Sequence, residues 1–166
     1  MNDRNPIIMV VDDDWMIREI MQAHLEHAGY TVQTAHSGEE ALELAAADTP
    51  DLVVLDMRMQ GLKGHEVCAR LKSAEATRHT AVLITTAMDD DESRRRAVEA
   101  GADDFLAKPF DTVVMLTRIK SLLRLKFLQD ELTRRDQHLW EVLTRHLSED
   151  AARAIFADVT RPTLDH

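Results

Sequence analysis

The chain has one cysteine, Cys68, in 166 residues. That excludes an internal disulfide and any zinc site built on cysteine. It also lacks a leader-like start: "MNDRNPIIMVVDDDW" has no basic opening, and its apolar run is too short for a signal peptide or a membrane span. A cytoplasmic protein with no membrane association is the expectation. Excess positive charge is missing as well. The formal net charge is −10, which disfavours direct nucleic-acid binding. Finally, no glycine or proline stands between Pro109 and Pro162, so nothing in that stretch forces a helix to stop.

What is present suits a soluble folded chain. A hydrophobic fraction of 45% supplies a core, and 30% charged residues supply a solvated surface. The length fits one ordinary domain with an appendage, or two very small domains. Charge is unevenly spread. Residues 1–111 hold 22 acids against 11 bases, whereas 112–166 hold 8 against 9. The acidity belongs to the first part. His24 and His27 have helical spacing but no third ligand, and are read as surface histidines.

Short apolar runs alternate with helical patterns as far as residue 126. "IIMVV" (7–11) reads as a strand buried on both faces, and Met16, Ile17, Ile20, Met21 and Leu25 follow at helical spacing until Gly29. "YTVQTA" (30–35) is a second strand, followed by a helix in which Ser37 and Glu40 have capping-box spacing. "LVVL" (52–55), "AVLITT" (81–86) and "DDFLA" (103–107) give three more strands. "DDDESRRRAVEAG" places acids before bases, as a helix dipole prefers, and another helix begins near Thr112. Strands alternating with helices imply an α/β fold with a parallel sheet covered on both faces. Right-handed crossovers then put every strand's C-terminal end along one edge, where ligands bind.

Strand one delivers Asp12, Asp13 and Asp14 to that edge, and strand three delivers Asp56. Strand four ends in Thr85 and Thr86, and Lys108-Pro109 follows strand five. Crowded carboxylates repel, and a divalent cation relieves them; oxygen-only ligands point to Mg²⁺, with Mn²⁺ possible, rather than zinc. Asp56 beside such a metal can attack phosphorus and form an acyl phosphate, with Lys108 and Thr86 receiving the phosphoryl oxygens.

"IIMVVDDD", "DLVVLDMRMQGLKG", "VLITTA" and "GADDFLAKPF" together resemble the receiver domain of two-component response regulators over roughly residues 6–126. The resemblance implies a five-stranded doubly wound parallel sheet of order 2-1-3-4-5, flanked by helices. It implies Asp56 as phosphoacceptor, Asp13 as principal metal ligand, Asp12 acting mainly through water, and the backbone carbonyl of Arg58 completing the set. Thr86 matches the switch hydroxyl, with Ala87 beside it at the phosphate; Lys108 matches the phosphate-pairing lysine and Phe105 the aromatic switch. A cis Lys108-Pro109 bond is also implied, as is a sensor histidine kinase or phosphotransfer protein as partner. Gln60 and Lys63 depart from the family, which usually has proline and often an acid there, so altered loop stiffness and partner surface are expected.

Beyond a receiver at 1–126, residues 127–166 form a helical extension, either a linker to an output domain or a dimerisation tail. Leu116, Ile119 and Leu123 form an apolar seam that Leu128, Leu132, Leu139 and Val142 continue, broken by Arg135. One long helix pairing as a short parallel coiled coil, giving a homodimer, is the main reading; a helix folded back on the receiver is the other. Asp103, Asp104, Arg118 and Lys120 stand where transcription-factor-type receivers place opposite charges for dimerisation. A new helix capped by Ser148 faintly resembles the connector before class III nucleotide cyclases. Residues 127–166 are too few for a winged-helix domain or a cyclase, so the chain is expected to be truncated or to end in a dimerisation tail.

Two functions compete with the signalling receiver. An aspartyl-nucleophile phosphatase or phosphotransferase of the haloacid-dehalogenase type would want an acid where Arg58 stands. A phosphorylation-independent dimeric scaffold would have no need of Asp13, Asp56, Thr86 and Lys108. The receiver is therefore expected not to be an enzyme beyond Mg²⁺-dependent self-phosphorylation and self-dephosphorylation.

Overall fold

The computed structural model describes residues 4–87 and 91–161. Strands β1 (Ile7–Val11), β2 (Thr31–Ala35), β3 (Leu52–Asp56), β4 (Ala81–Ala87) and β5 (Asp104–Lys108) alternate with helices α1 (Trp15–His27), α2 (Gly38–Ala47), α3 (Gly64–Ser73) and α4 (Asp91–Glu99). Helices α5 (Thr112–His146) and α6 (Glu149–Val159) follow. The strands form one parallel sheet of order β2-β1-β3-β4-β5, the order implied by the resemblance. The second strand begins one residue later than expected, and the fifth is shifted by one to end on Lys108 itself. Of the acid run read ahead of the fourth helix, Asp89 and Asp90 lie outside the described residues, as do the last five residues of the tail.

Uninterrupted apolar runs are needed because both faces of the sheet are covered. In β1, Ile8 and Val10 enter one cluster with Met21 and Leu25 of α1 and with Met115 and Ile119 of α5. Met9 and Val11 enter the opposite cluster with Ala41 of α2, Val67, Cys68 and Leu71 of α3, and Ala97 of α4. Side-chain alternation along a strand thus feeds two cores rather than a core and a solvent face.

Local chemistry sets the helix starts. The Asp14 carboxylate accepts from the Met16 N–H, and the Ser37 hydroxyl accepts from the Glu40 N–H. The Ser37–Glu40 pair is half a capping box: Glu40 accepts from the His36 N–H, one residue before the cap.

At the N-terminal edge, two carboxylates complete the ladder. Asp51 accepts from the Ile7 N–H at 2.8 Å and Asp103 from the Val82 N–H at 2.7 Å. Asp51, 4% exposed, also meets Arg4 at 3.1 Å and Lys126 at 4.0 Å. Lys72 pairs with Asp103 at 2.7 Å.

The chain divides into two compact units, Met1–Lys126 and Phe127–His166. In the second, α6 is capped by Ser148, Ala152 is fully buried, and the rings of Trp140 and Phe156 meet edge to face at 5.5 Å. The expected seam is corrected at its start. Ile119 and Leu123 are spent on the core of the first unit, with Leu116 packed against it. This part of α5 closes the sheet, so Ile119 and Leu123 have no surface left for a second chain. Leu128 and Leu132, by contrast, are exposed. Among the described residues no helix is long and apolar enough to cross a membrane.

Candidate functional site

Parallel strands end together, and here they bring carboxylates and a lysine to one edge. Asp12 follows β1, Asp56 is the last residue of β3, and Lys108 is the last of β5. The Lys108 ammonium donates to Asp12 Oδ2 at 2.9 Å and lies 3.2 Å from Asp56 Oδ1. Asp12 and Asp56 are buried and Asp13 is exposed, yet one carboxylate oxygen from each lies within 4.8 Å of the others. Asp14 is not part of the cluster; it caps α1 and donates its N–H to Asp12 Oδ1 at 2.9 Å. The Arg18 guanidinium donates to the Asp12 carbonyl at 2.7 Å, holding the turn from the other side.

Electrostatics follow from this crowding. Burial, and then the charge of Asp12, push the Asp56 carboxyl above its ordinary pKa, while Lys108 and the Arg58 N–H pull against them. For Lys108, burial alone favours the neutral amine. The hydrogen bond to Asp12 and the charges of Asp56 and Asp12 outweigh it, so its pKa is raised and it stays an ammonium. Two buried carboxylates share one fixed cation, and a third carboxylate stands at the surface beside them. Such an all-oxygen donor set suits a hard divalent cation.

The remaining candidates surround the cluster. Thr85 opposes Asp56 in the ladder, and Thr86 and Ala87 pair with Ala107 and Lys108. Thr86 is buried, and its hydroxyl donates to the Ala87 carbonyl at 3.5 Å. Phe105 is partly buried against the cluster that Val82 and Ile84 enter, and alternation puts Thr86 on that same face. The Arg58 N–H lies 3.4 Å from Asp56 Oδ1. The Lys108–Pro109 peptide bond is cis. The seam residues Leu116, Ile119, Leu123, Leu128, Leu132, Leu139 and Val142 take no part in this site.

Two features escape the sequence pattern. Gly64 opens α3 so close to β3 that an added Cβ would lie 2.5 Å from the Asp56 carbonyl oxygen. An open cleft beside the cluster is lined by Asp13, Met57, Met59, Lys63 and Arg96 among others. Only the glycine in "LKG" hinted at the first, and spacing carries no signal for the second.

The profile of the family described as the response regulator receiver domain matches residues 8–120. Response regulator PleD of Caulobacter vibrioides is 43% identical over 129 residues, 78% of this chain and 28% of that protein. Response regulator MprA of Mycobacterium ulcerans is 45% identical over 124 residues, 75% of this chain and 53% of that protein. The chain thus spans about half or less of the length of these relatives. The solved chemotaxis protein CheY4 of Vibrio cholerae is 28% identical with a TM-score of 0.69, over 72% of this chain and 99% of that one.

Proposed function

This chain belongs to the response regulator receiver family, a family of two-component signalling, and from that membership we propose that Asp56 is its phosphoacceptor. The observation that carries the reading is the shared lysine: one ammonium spans Asp12 and Asp56 at the end of the sheet. It positions Asp56 and supplies the positive charge that incoming phosphoryl oxygens need. Asp13 and Asp56, with Asp12 through water and the Arg58 carbonyl, are the groups that would hold Mg²⁺, or Mn²⁺ in its place. The bound ion would neutralise phosphoryl charge during transfer.

The phosphoryl donor is a sensor histidine kinase or phosphotransfer protein. In support, α1 begins directly after the acidic turn and leaves Trp15, Met16 and Ile20 exposed, an apolar surface suited to a protein partner. Once Asp56 is modified, the buried Thr86 hydroxyl turns to a phosphoryl oxygen and Phe105 follows it on the same face. The new charge, roughly −1.5 to −2, biases an existing two-state equilibrium. That switch controls a homodimer or an attached output, in the cytoplasm. The aspartyl phosphatase alternative gains nothing from Arg58, which lines the cleft where a second acid would be wanted.

The test is phosphorylation of the full chain by acetyl phosphate with and without Mg²⁺, followed by intact mass and by the fluorescence of the exposed Trp15. A single phosphoryl group is expected, only with the cation, and none on Asp56→Asn. A variant that still gains the group would sink the assignment, and a scaffold with no phosphorylation would show no gain in the wild type.

A further inference from the structure

Among the described residues of the second unit, only Ala152 is buried. The unit runs Phe127–His166, about 40 residues, a length at which a chain usually needs a disulfide, a metal or a partner to stay folded. It has no cysteine, since Cys68 is the only one in the chain, and no metal-binding cluster falls among its described residues. A partner is left.

The helices show where that partner would sit. Helix α5 ends at His146 and α6 begins at Glu149, and Trp140 meets Phe156 at nearly equal distances from that turn. The two helices therefore run antiparallel with these rings between them. At about 100° per residue, Leu132, Leu139 and Leu143 lie roughly a quarter-turn from Trp140 on one side of α5. Ile155 and Val159 lie a similar turn or less from Phe156, in the same sense along α6. Reversing the chain direction brings both stripes to the same side of the hairpin, where they join into one apolar face. Leu132, Ile155 and Val159 are exposed on it, Val159 at 62%, and Leu139 and Leu143 are half-buried.

Charge points to a second copy. Residues 127–161 carry seven acids and five bases, and Arg134, Arg135 and Arg153 are already paired with Glu131 and Glu149 within the chain. A face framed by balanced, internally paired charge neither repels its own copy nor selects a strongly charged partner. A two-fold axis lets the same face serve both chains. We propose that the face built jointly by Leu139 and Leu143 of α5 and Ile155 and Val159 of α6 packs on the same face of a second copy, closing a four-helix bundle. The inference rests on the homodimer named above. It makes α6 a wall of the interface, where a two-stranded coil of α5 helices would leave α6 outside.

Sedimentation of the full chain and its variants tests this. Ile155→Asp with Val159→Asp is expected to raise the dimer dissociation constant about a hundredfold. Ala154→Asp with Ala157→Asp adds the same charge at exposed positions on the far side of α6, and should stay within about threefold of native. A second readout needs no loss of affinity. Cys68 is buried and its thiol is pushed up to about 11 by that burial, so it stays silent toward maleimides at neutral pH. Ile155→Cys should therefore give a covalent dimer with a bis-maleimide spanning about 10 Å, one interhelical distance, and Ala157→Cys should not. An Ile155→Asp, Val159→Asp chain that dimerises as tightly as the native one overturns the proposal. So does the absence of a crosslink in Ile155→Cys at a concentration where it sediments as a dimer. Should the paired Asp substitutions melt α6 by circular dichroism, the crosslink alone decides. A wild type that is monomeric at micromolar concentration overturns the homodimer itself, and assigns the face to another protein or to the chain's own receiver.

Discussion

An added methyl at Gly64 would sit 2.5 Å from the Asp56 carbonyl oxygen and 2.8 Å from the Met57 Cα. Both are backbone atoms of the segment that presents the proposed phosphoacceptor, so neither can swing aside. Gly64→Ala should therefore cost about 1–3 kcal/mol in urea unfolding, as overpacking does, and slow phosphorylation further by moving Asp56. Native stability with native rates would show that the loop yields freely. The charge of Asp56 makes a second prediction. Because its folded pKa is raised, the folded chain holds that proton more tightly than the unfolded chain. Stability is therefore lost as pH climbs from the unfolded value to the folded one, and stays lost above it. Asp56→Asn removes the charge and keeps the shape. Without divalent cations it should melt above the wild type at neutral pH, with the gap closing at about pH 4. A variant melting at or below the wild type at neutral pH would contradict this. Added Mg²⁺ should narrow the gap by stabilising the wild type alone.

The elements were easier to read than their ends. Continuous apolar runs gave β1, β3 and β4, because a sheet covered on both faces needs such runs, and the alternation of strands with helices gave the parallel arrangement. Their C-terminal residues then named Asp12, Asp56, Thr86 and Lys108 with no knowledge of the loops. The α5 periodicity misled for a physical reason. Ile119 and Leu123 repeat at helical spacing with Leu128 and Leu132, yet the first pair is buried and the second exposed. Spacing reports that a face is apolar, not what covers it. The cleft was illegible because Lys63 and Arg96 lie on different elements that meet only in the folded chain. Asp51 was not singled out in the sequence at all. It is a node that joins β1, the Arg4 arm and Lys126. Asp51→Asn should destabilise by about 2 kcal/mol, below the usual cost of breaking a buried pair because Arg4 is itself half exposed. Urea denaturation gives the number, and an unchanged midpoint would show the node to be dispensable.

For the molecule as a whole, the tail is expected to decide the assembly. Opposite charges expected to meet across a dimer are already used within one chain: Arg118 donates to both Asp104 oxygens at 3.0 Å, and Asp103 pairs with Lys72. An interface through those charges would first have to exchange these pairs. The seam that remains open runs through Leu128, Leu132 and Val142, all exposed, with Leu139 partly covered. Burying such leucines between two chains is worth roughly 1.5–3 kcal/mol each. The full chain is therefore expected to sediment as a dimer without phosphate, and Leu128→Asp with Leu132→Asp should make it a monomer without unfolding it. A wild type that is monomeric at micromolar concentration would count against the seam.

The two ends of the sheet also hold their carboxylates on different terms. Asp51 and Asp103 are matched by backbone N–H groups and cations, whereas Asp12 and Asp56 share a single lysine with the Asp13 carboxylate close beside them. Carboxylates that secure the fold stand at one rim and the candidate reactive groups at the other, a strand's length away. Substitutions at the second rim are therefore expected to change its chemistry without eroding the fold. That separation leaves one rim open to change while the opposite rim keeps the scaffold intact.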